Sequence, residues 1–201
     1  LEGLTETEAR AKLKGKIKAT AVNKRLKSGW HQKQSKELEP LCNGGKQREI
    51  QDLLSIDCFG KPQELPKGSK AIGLMWVLLA KQDDNGFFSR LKGRLTLLGN
   101  QERETVSRML AYAPVQHAAT LRTLLAIHVN DLNEIKLYEC DIKQAYLAAK
   151  MKRLVFVKHP PGYVLLVNKR GHLDYRKLMP GEKPPKTVMK LLLALYGGME
   201  C

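Results

Sequence analysis

Acidic side chains, cysteines and aromatics are scarce in this 201-residue chain, and each shortage excludes something. Cys42, Cys58, Cys140 and Cys201 lie far apart, with no C-x-x-C pair. That spacing argues against a structural zinc site, gives no disulfide framework and makes a reducing compartment the default. The histidines (His31, His117, His128, His159 and His172) show no ligand spacing either. No apolar run reaches the roughly 20 residues of a membrane span. No signal peptide opens the chain, so secretion is not expected. The 20 Asp and Glu face 35 Lys and Arg, leaving a net charge of +15 and a pI near 9.7. Such an excess suits a polyanionic partner, because each neutralised phosphate releases a counterion. A basic surface that merely stays solvated has the same composition. An anionic membrane would attract the same charge, but no amphipathic segment carries the broad aromatic face that membrane insertion needs.

What is present is ordinary for a globular protein. The hydrophobic share is 43%, and the length allows one large domain or two small ones with a buried core. Thr5-x-x-Glu8 is a capping box, and Ala9, Leu13 and Ile17 recur behind it at helical spacing. A basic helix is expected over residues 6–27, weakened by Gly15 and ended by Gly29. A second helix is expected over 30–41, a break at Gly44-Gly45, and a short helix over 50–54. Pro62, Pro66 and Gly68 mark a linker. The apolar run over 71–80 reads as a buried strand. Asp84-Asn85-Gly86 is a hairpin turn, since Asn-Gly accepts positive φ angles. On the return strand over 87–98, Arg90, Lys92 and Arg94 alternate with Leu91, Gly93 and Leu95, which puts three cations on one face. That row either grips phosphates or faces solvent.

Residues 100–112 read as loop, 118–129 as a helix, 154–157 as a strand and 188–195 as a last strand. Residues 164–167 and 172–178 are placed to pair as a hairpin. Between the helix over 118–129 and the strand over 154–157, residues 135–140 alternate like a strand that ends on Asp141 and turns into a small-residue helical segment. A carboxylate at a strand end is well placed to hold a divalent metal, because the sheet fixes it while its oxygens face a cleft. The strand-to-helix context by itself favours the other role of such an Asp, capping the helix that follows.

From about Trp30 onward the chain resembles the reverse transcriptase of copia-type LTR retrotransposons. The resemblance rests on motifs in collinear order. The family's I-G-x-K-W-V strand stands here as Ile72-Gly73-Leu74-Met75-Trp76-Val77, its D-x-x-G turn as Asp83-Asp84-Asn85-Gly86. Its K-A-R-L-V-A-K-G strand stands as Lys92-Gly93-Arg94-Leu95-Thr96-Leu97-Leu98-Gly99, and its F-A-P-V as Tyr112-Ala113-Pro114-Val115. The L-R-x-L-L-A helix follows at 121–126, D-V-K-T-A-F-L appears as D-I-K-Q-A-Y-L over 141–147, P-P-G-F at 160–163 and K-L-x-x-x-L-Y-G at 190–197. Several positions depart from the pattern. Met75 replaces a Lys, Gly93 an Ala, Ala148-Ala149 an Asn-Gly, and the stretch over 164–186 is longer than expected.

The resemblance implies an α+β fold with a fingers region (β-hairpin plus helices) and an incomplete palm sheet. It divides the chain into a basic helical extension over 1–29 and a partial reverse transcriptase domain over 30–201, with fingers to about 115 and palm from about 116. By the same resemblance, Asp141 is the first of three catalytic aspartates and a ligand to Mg²⁺, with Ile142 offering a backbone carbonyl. In two-metal chemistry the ions lie about 4 Å apart and clamp the attacking and leaving oxygens. Tyr146 is the ring under the deoxyribose that selects dNTPs over rNTPs. Lys81, Lys92 and Arg94 neutralise the incoming triphosphate. The implied partners are an RNA template, an RNA–DNA hybrid or DNA, dNTPs and the remainder of a retrotransposon polyprotein, in the cytoplasm (a virus-like particle) or the nucleus.

The second carboxylate motif, Y-V-D-D, is absent from the 201 residues, and Asp83-Asp84 belong to a turn. The chain opens on Leu1 and stops at Cys201 like a piece of something longer, and by itself it is expected not to polymerise. The alternative is a basic remnant that binds nucleic acid without catalysis.

Overall fold

The computed structural model describes residues 4–28, 38–101, 117–130, 138, 140, 147 and 149–198. Within them the architecture is mixed α+β, with four helices and three small sheets. Helix α1 (Glu6–Leu13) begins at the expected capping box: Thr5 Oγ1 accepts from the Glu8 amide and the Glu8 carboxylate accepts from the Thr5 amide. The basic helix expected over 6–27 is in fact two helices, because Gly15 adopts φ 72°, a conformation that ends a helix. Helix α2 (Ala19–Ser28) follows the turn.

Helix α3 (Glu39–Ser55) runs straight through Gly44-Gly45, where a break was expected. Two glycines cost helix propensity, about 1 kcal/mol each. Packing reverses the outcome here. A Cβ on Gly93 would stand 2.8 Å from the Gly45 carbonyl oxygen, so the helix backbone lies directly against a strand backbone. The short helix expected over 50–54 is the last turns of this same element. The helix expected over 30–41 falls mostly on residues outside the described ones.

The run over 71–80 divides at Gly73. Strand β1 (Ala71–Ile72) pairs in parallel with β4 (Phe156–Val157), which pairs antiparallel with β7 (Met189–Lys190). Strand β2 (Leu74–Gln82) instead forms a long antiparallel hairpin with β3 (Phe88–Leu97). The Asp83–Gly86 turn closes it: the Asp83 carboxylate accepts from the amides of Asn85 and Phe87, and Gly86 supplies φ 78°. A second hairpin pairs β5 (Tyr163–Val167) with β6 (Leu173–Lys177). Helix α4 (Ala118–Asn130) confirms the expected helix, and among the described residues its Leu121, Leu124 and Leu125 are exposed. The strand expected over 135–140 lies largely outside the described residues.

Two apolar cores result. One gathers Ile50, Leu53, Leu74, Leu95, Leu97, Val157, Leu165, Met189 and Leu191 around the base of the β2–β3 hairpin. The other packs Ala9, Leu13, Val22, Leu41, Ala80, Phe88 and Leu91 beneath its tip. One face of the hairpin therefore covers both. No helix among the described residues is long and apolar enough to cross a membrane.

Candidate nucleic-acid interface

The hairpin register sorts the side chains. Leu74 opposite Leu97, Trp76 opposite Leu95, and Ala80 opposite Leu91 share the buried face. Partners across an antiparallel pair project to the same side. Val77 opposite Arg94, Leu79 opposite Lys92, and Lys81 opposite Arg90 therefore share the other face. Arg90, Lys92, Arg94, Lys81 and Leu79 are all exposed there. The sequence alternation predicted three cations on one face, and the register adds Lys81 to them.

A two-stranded ribbon is marginal in water unless its margins are occupied. Here side chains occupy them. The Asn23 side-chain amide donates to the Ala80 carbonyl at 3.2 Å and accepts from the Ala80 amide at 2.7 Å, closing the free margin of β2. Along β3, Arg10 donates to the Ser89 carbonyl at 2.8 Å and Arg48 to the Leu91 carbonyl at 3.2 Å. Glu49 accepts from the Leu95 amide at 3.3 Å, and the Leu97 amide donates to the Tyr196 carbonyl at 2.7 Å. At the tip the Phe88 amide donates to the Ile17 carbonyl at 2.8 Å. Sequence reasoning missed these contacts. One signal was available for Asn23, an amide in the interior of a helix, where such residues are disfavoured unless they bond elsewhere.

Electrostatics at the base follow from burial. Glu49 is pushed above the ordinary carboxylate range by burial, against the opposing pull of the Leu95 amide and the cations Lys92 and Arg94. Lys46 is held below the usual lysine range by burial, with its Nζ 6.0 Å from the centre of the Trp76 ring. The Arg94 guanidinium lies 5.1 Å from the centre of the Tyr196 ring, an arrangement that orients a cation without neutralising it. Trp76 Nε1 donates to the Pro161 carbonyl at 2.9 Å, which ties the hairpin to the Pro-Pro-Gly turn before β5. Cys42, Cys58 and Cys140 are free, and burial pushes the Cys42 and Cys58 thiols up to about 11 and about 12.

Lys92 and Arg94 stand two residues apart, about 7 Å along the strand. Lys81 pairs with Arg90 nearer the tip, about 13 Å from the Val77–Arg94 pair. The register thus puts Lys81, Lys92 and Arg94 on one face, with Lys92 between the other two. Asp141, Ile142 and Tyr146 lie outside the described residues. Among the described residues no group of three or more His, Cys, Asp or Glu is arranged to hold a metal ion.

The candidate site is thus a cationic face on a β-ribbon, fixed by helices to a mixed α+β frame. The chain belongs to the reverse transcriptase (RNA-dependent DNA polymerase) family, whose sequence pattern matches residues 62–177. It is 25% identical over 146 residues to the "Retrovirus-related Pol polyprotein from transposon TNT 1-94" of Nicotiana tabacum, covering 72% of this chain and 11% of that protein. It is 24% identical over 132 residues to the corresponding polyprotein from transposon RE1 of Arabidopsis thaliana, covering 66% of this chain and 8% of that one. The match to the RE2 polyprotein of Arabidopsis thaliana is 25% identical over 99 residues, 49% of this chain and 7% of that protein. The chain thus spans about a tenth of the length of these relatives. These matches bear out the copia-type resemblance drawn from the motifs. No solved structure matches the chain.

Proposed function

We propose that this chain supplies the fingers and the first part of the palm of a copia-type reverse transcriptase. The observation that carries the reading is the β2–β3 hairpin: a family-matched ribbon with one face buried and the other lined by exposed Arg90, Lys92 and Arg94. The long side chains of Lys92, Arg94 and Lys81 rise from one face and can converge on the triphosphate of an incoming nucleotide. The fingers take residues 30–115 and the palm begins near 116, with the basic segment over 1–29 ahead of them.

In the same reading Asp141 and the Ile142 carbonyl hold Mg²⁺, and Tyr146 rejects a 2′-hydroxyl. The metal, when bound, supplies charge neutralisation at the reacting phosphate. What the hairpin supplies is a fixed cationic surface that needs no rearrangement as negative charge builds on the triphosphate. The 201 residues carry one of the three carboxylates that the family uses. The chain alone therefore binds nucleotide and nucleic acid without joining them. The partners are a template–primer duplex and the other parts of a Pol polyprotein.

The test is primer extension with Mg²⁺ on the purified chain, together with binding of a fluorescent dNTP. Extension is expected to be blank, and Arg94→Gln is expected to weaken dNTP binding by about tenfold, the worth of one charge-assisted contact. Incorporation above that of Asp141→Ala would overturn the incomplete-site reading. Undiminished dNTP binding by Arg94→Gln would remove the hairpin from the nucleotide site.

A further inference from the structure

Residues 62–177 carry the family pattern, and one contact to the cationic face comes from beyond them. The Arg94 guanidinium carbon lies 5.1 Å from the centre of the Tyr196 ring. That is inside the roughly 6 Å over which a ring attracts a cation. Among the described residues, Lys81, Arg90 and Lys92 have no such ring, so Arg94 is set apart from the other hairpin cations.

The backbone on both sides of the ring is fixed. The Leu97 amide donates to the Tyr196 carbonyl at 2.7 Å, which fastens the segment to the margin of β3. Gly197 adopts φ 84°, and a Cβ there would stand 2.6 Å from the Leu97 carbonyl oxygen. Glycine alone lets the chain turn so close to the strand. On the other side Leu195 is buried in the first core, and the Gly198 amide donates to the Leu195 carbonyl at 3.1 Å. The Tyr196 ring is itself half-buried against that core.

A ring and a carboxylate hold an arginine differently. Arg94 has no ion pair among the described residues, and Glu49, which interacts with it electrostatically, gives a carboxylate oxygen to the Leu95 amide at 3.3 Å. A carboxylate in contact would cancel the charge and occupy N–H donors. A ring attracts through its quadrupole, so the guanidinium keeps its charge and presents its donors to phosphate oxygens. What the ring removes is freedom. An exposed arginine loses rotamer entropy when it grips a ligand, and one already held loses less.

We infer that Tyr196 is a positioning residue for nucleotide binding: its ring, fixed on the margin of β3 by the turn at Gly197, holds the Arg94 guanidinium ready for the phosphates of a nucleoside triphosphate. The inference rests on reading the hairpin face as the nucleotide side.

The experiment titrates a fluorescent dNTP into the whole chain, native and with Tyr196→Phe, Tyr196→Leu, Arg94→Gln, or Arg94→Gln and Tyr196→Leu together. Leucine keeps apolar bulk against the core, and each variant is first shown to unfold cooperatively. In the same proteins without nucleotide, NMR follows the Nε–Hε signal of Arg94, assigned by its loss in Arg94→Gln.

Tyr196→Leu is expected to weaken dNTP binding about two- to fivefold, the worth of one exposed contact between a cation and a ring. Tyr196→Phe binds like the native chain, and adding Tyr196→Leu to Arg94→Gln costs nothing further. The Arg94 signal carries a ring-current shift in the native chain and in Tyr196→Phe, and Tyr196→Leu removes it. Native-like binding by Tyr196→Leu, where Arg94→Gln is weakened, overturns the inference and leaves the nucleotide site standing. So does a further loss when Tyr196→Leu is added to Arg94→Gln, since the ring then acts without Arg94. A loss in Tyr196→Phe as large as in Tyr196→Leu also overturns it, by moving the effect from the ring to the hydroxyl. Undiminished binding by Arg94→Gln instead removes the hairpin from the nucleotide site, and the inference falls with it.

Discussion

The two hairpins carry cations in different ways. On β2–β3, Lys81, Arg90 and Lys92 have no carboxylate partner among the described residues. On β5–β6, Arg176 pairs with Glu182, and Lys177 pairs with Glu39 at 3.2 Å. The first hairpin is long, has one face on two cores and has both margins tied by helices and loops. The second is short, and β6 is largely exposed or half-buried. The strands of the first carry Lys81, Arg90, Lys92 and Arg94, those of the second Arg176 and Lys177. Pairing separates them: a charge already neutralised has little left for a phosphate, and an unpaired one on a rigid ribbon keeps its whole field.

The largest expected effect tests whether the first hairpin is the better anchored. Leu95 is fully buried at its base, and Val167 of the second hairpin is 42% exposed. Leu95→Ala should cost about 2–5 kcal/mol, because the cavity adds to the lost transfer energy. Val167→Ala should stay within about 0.5 kcal/mol. Urea unfolding of both variants measures the gap, and similar losses would erase the distinction.

A smaller effect separates the hairpins by pH. The margin of β2 is held by Asn23, which does not titrate. By contrast β5 is held by His159, whose Nδ1 accepts from the Leu165 amide at 3.1 Å and whose Nε2 lies 3.0 Å from Thr187 Oγ1. Burial lowers the His159 pKa below its ordinary 6.5. The unfolded chain then binds a proton that the folded chain resists, so stability is full above about pH 6.5 and declines as pH falls through the lowered value. The protection factor of the Leu165 amide, its exchange rate corrected for the intrinsic pH dependence, should fall over that range while that of Ala80 does not. Matching pH responses would mean that His159 does not fasten β5.

The smallest effect concerns the paired cations. Glu182 is held at about 2, first by its hydrogen bond to Arg176 and then by the Met179 amide. Arg176→Gln should raise the Glu182 titration midpoint toward the ordinary carboxylate range and leave RNA affinity unchanged. A drop in affinity would place β6 on the binding surface after all.

The first hairpin was legible in the sequence because its signals are local. Asn85-Gly86 marks the turn, and the alternation of cations with Leu91, Gly93 and Leu95 marks the faces. Where the reading missed, the deciding partner lay far away in the chain. Gly44-Gly45 looked like a helix break because its compensation is Gly93, and the division at Gly73 depends on β4, more than eighty residues on. The same holds for the candidate site. Lys92 and Arg94 were found by period, whereas the clamp by Asn23 is a contact between residues 57 apart in the chain. Asp141, Ile142 and Tyr146 rest on motif resemblance and lie outside the described residues.

The occupied margins of β2–β3 also bear on how the chain survives its own synthesis. A bare ribbon rich in Leu, Val and Trp is a template on which a second copy can add a strand, the usual route to aggregates. Asn23, Arg10, Arg48 and Glu49 hold the groups such a copy would need. All four come from α1–α3, which leave the ribosome before the ribbon does. The protective elements are thus made first, and the hairpin emerges into a place where its sticky margins are already spoken for.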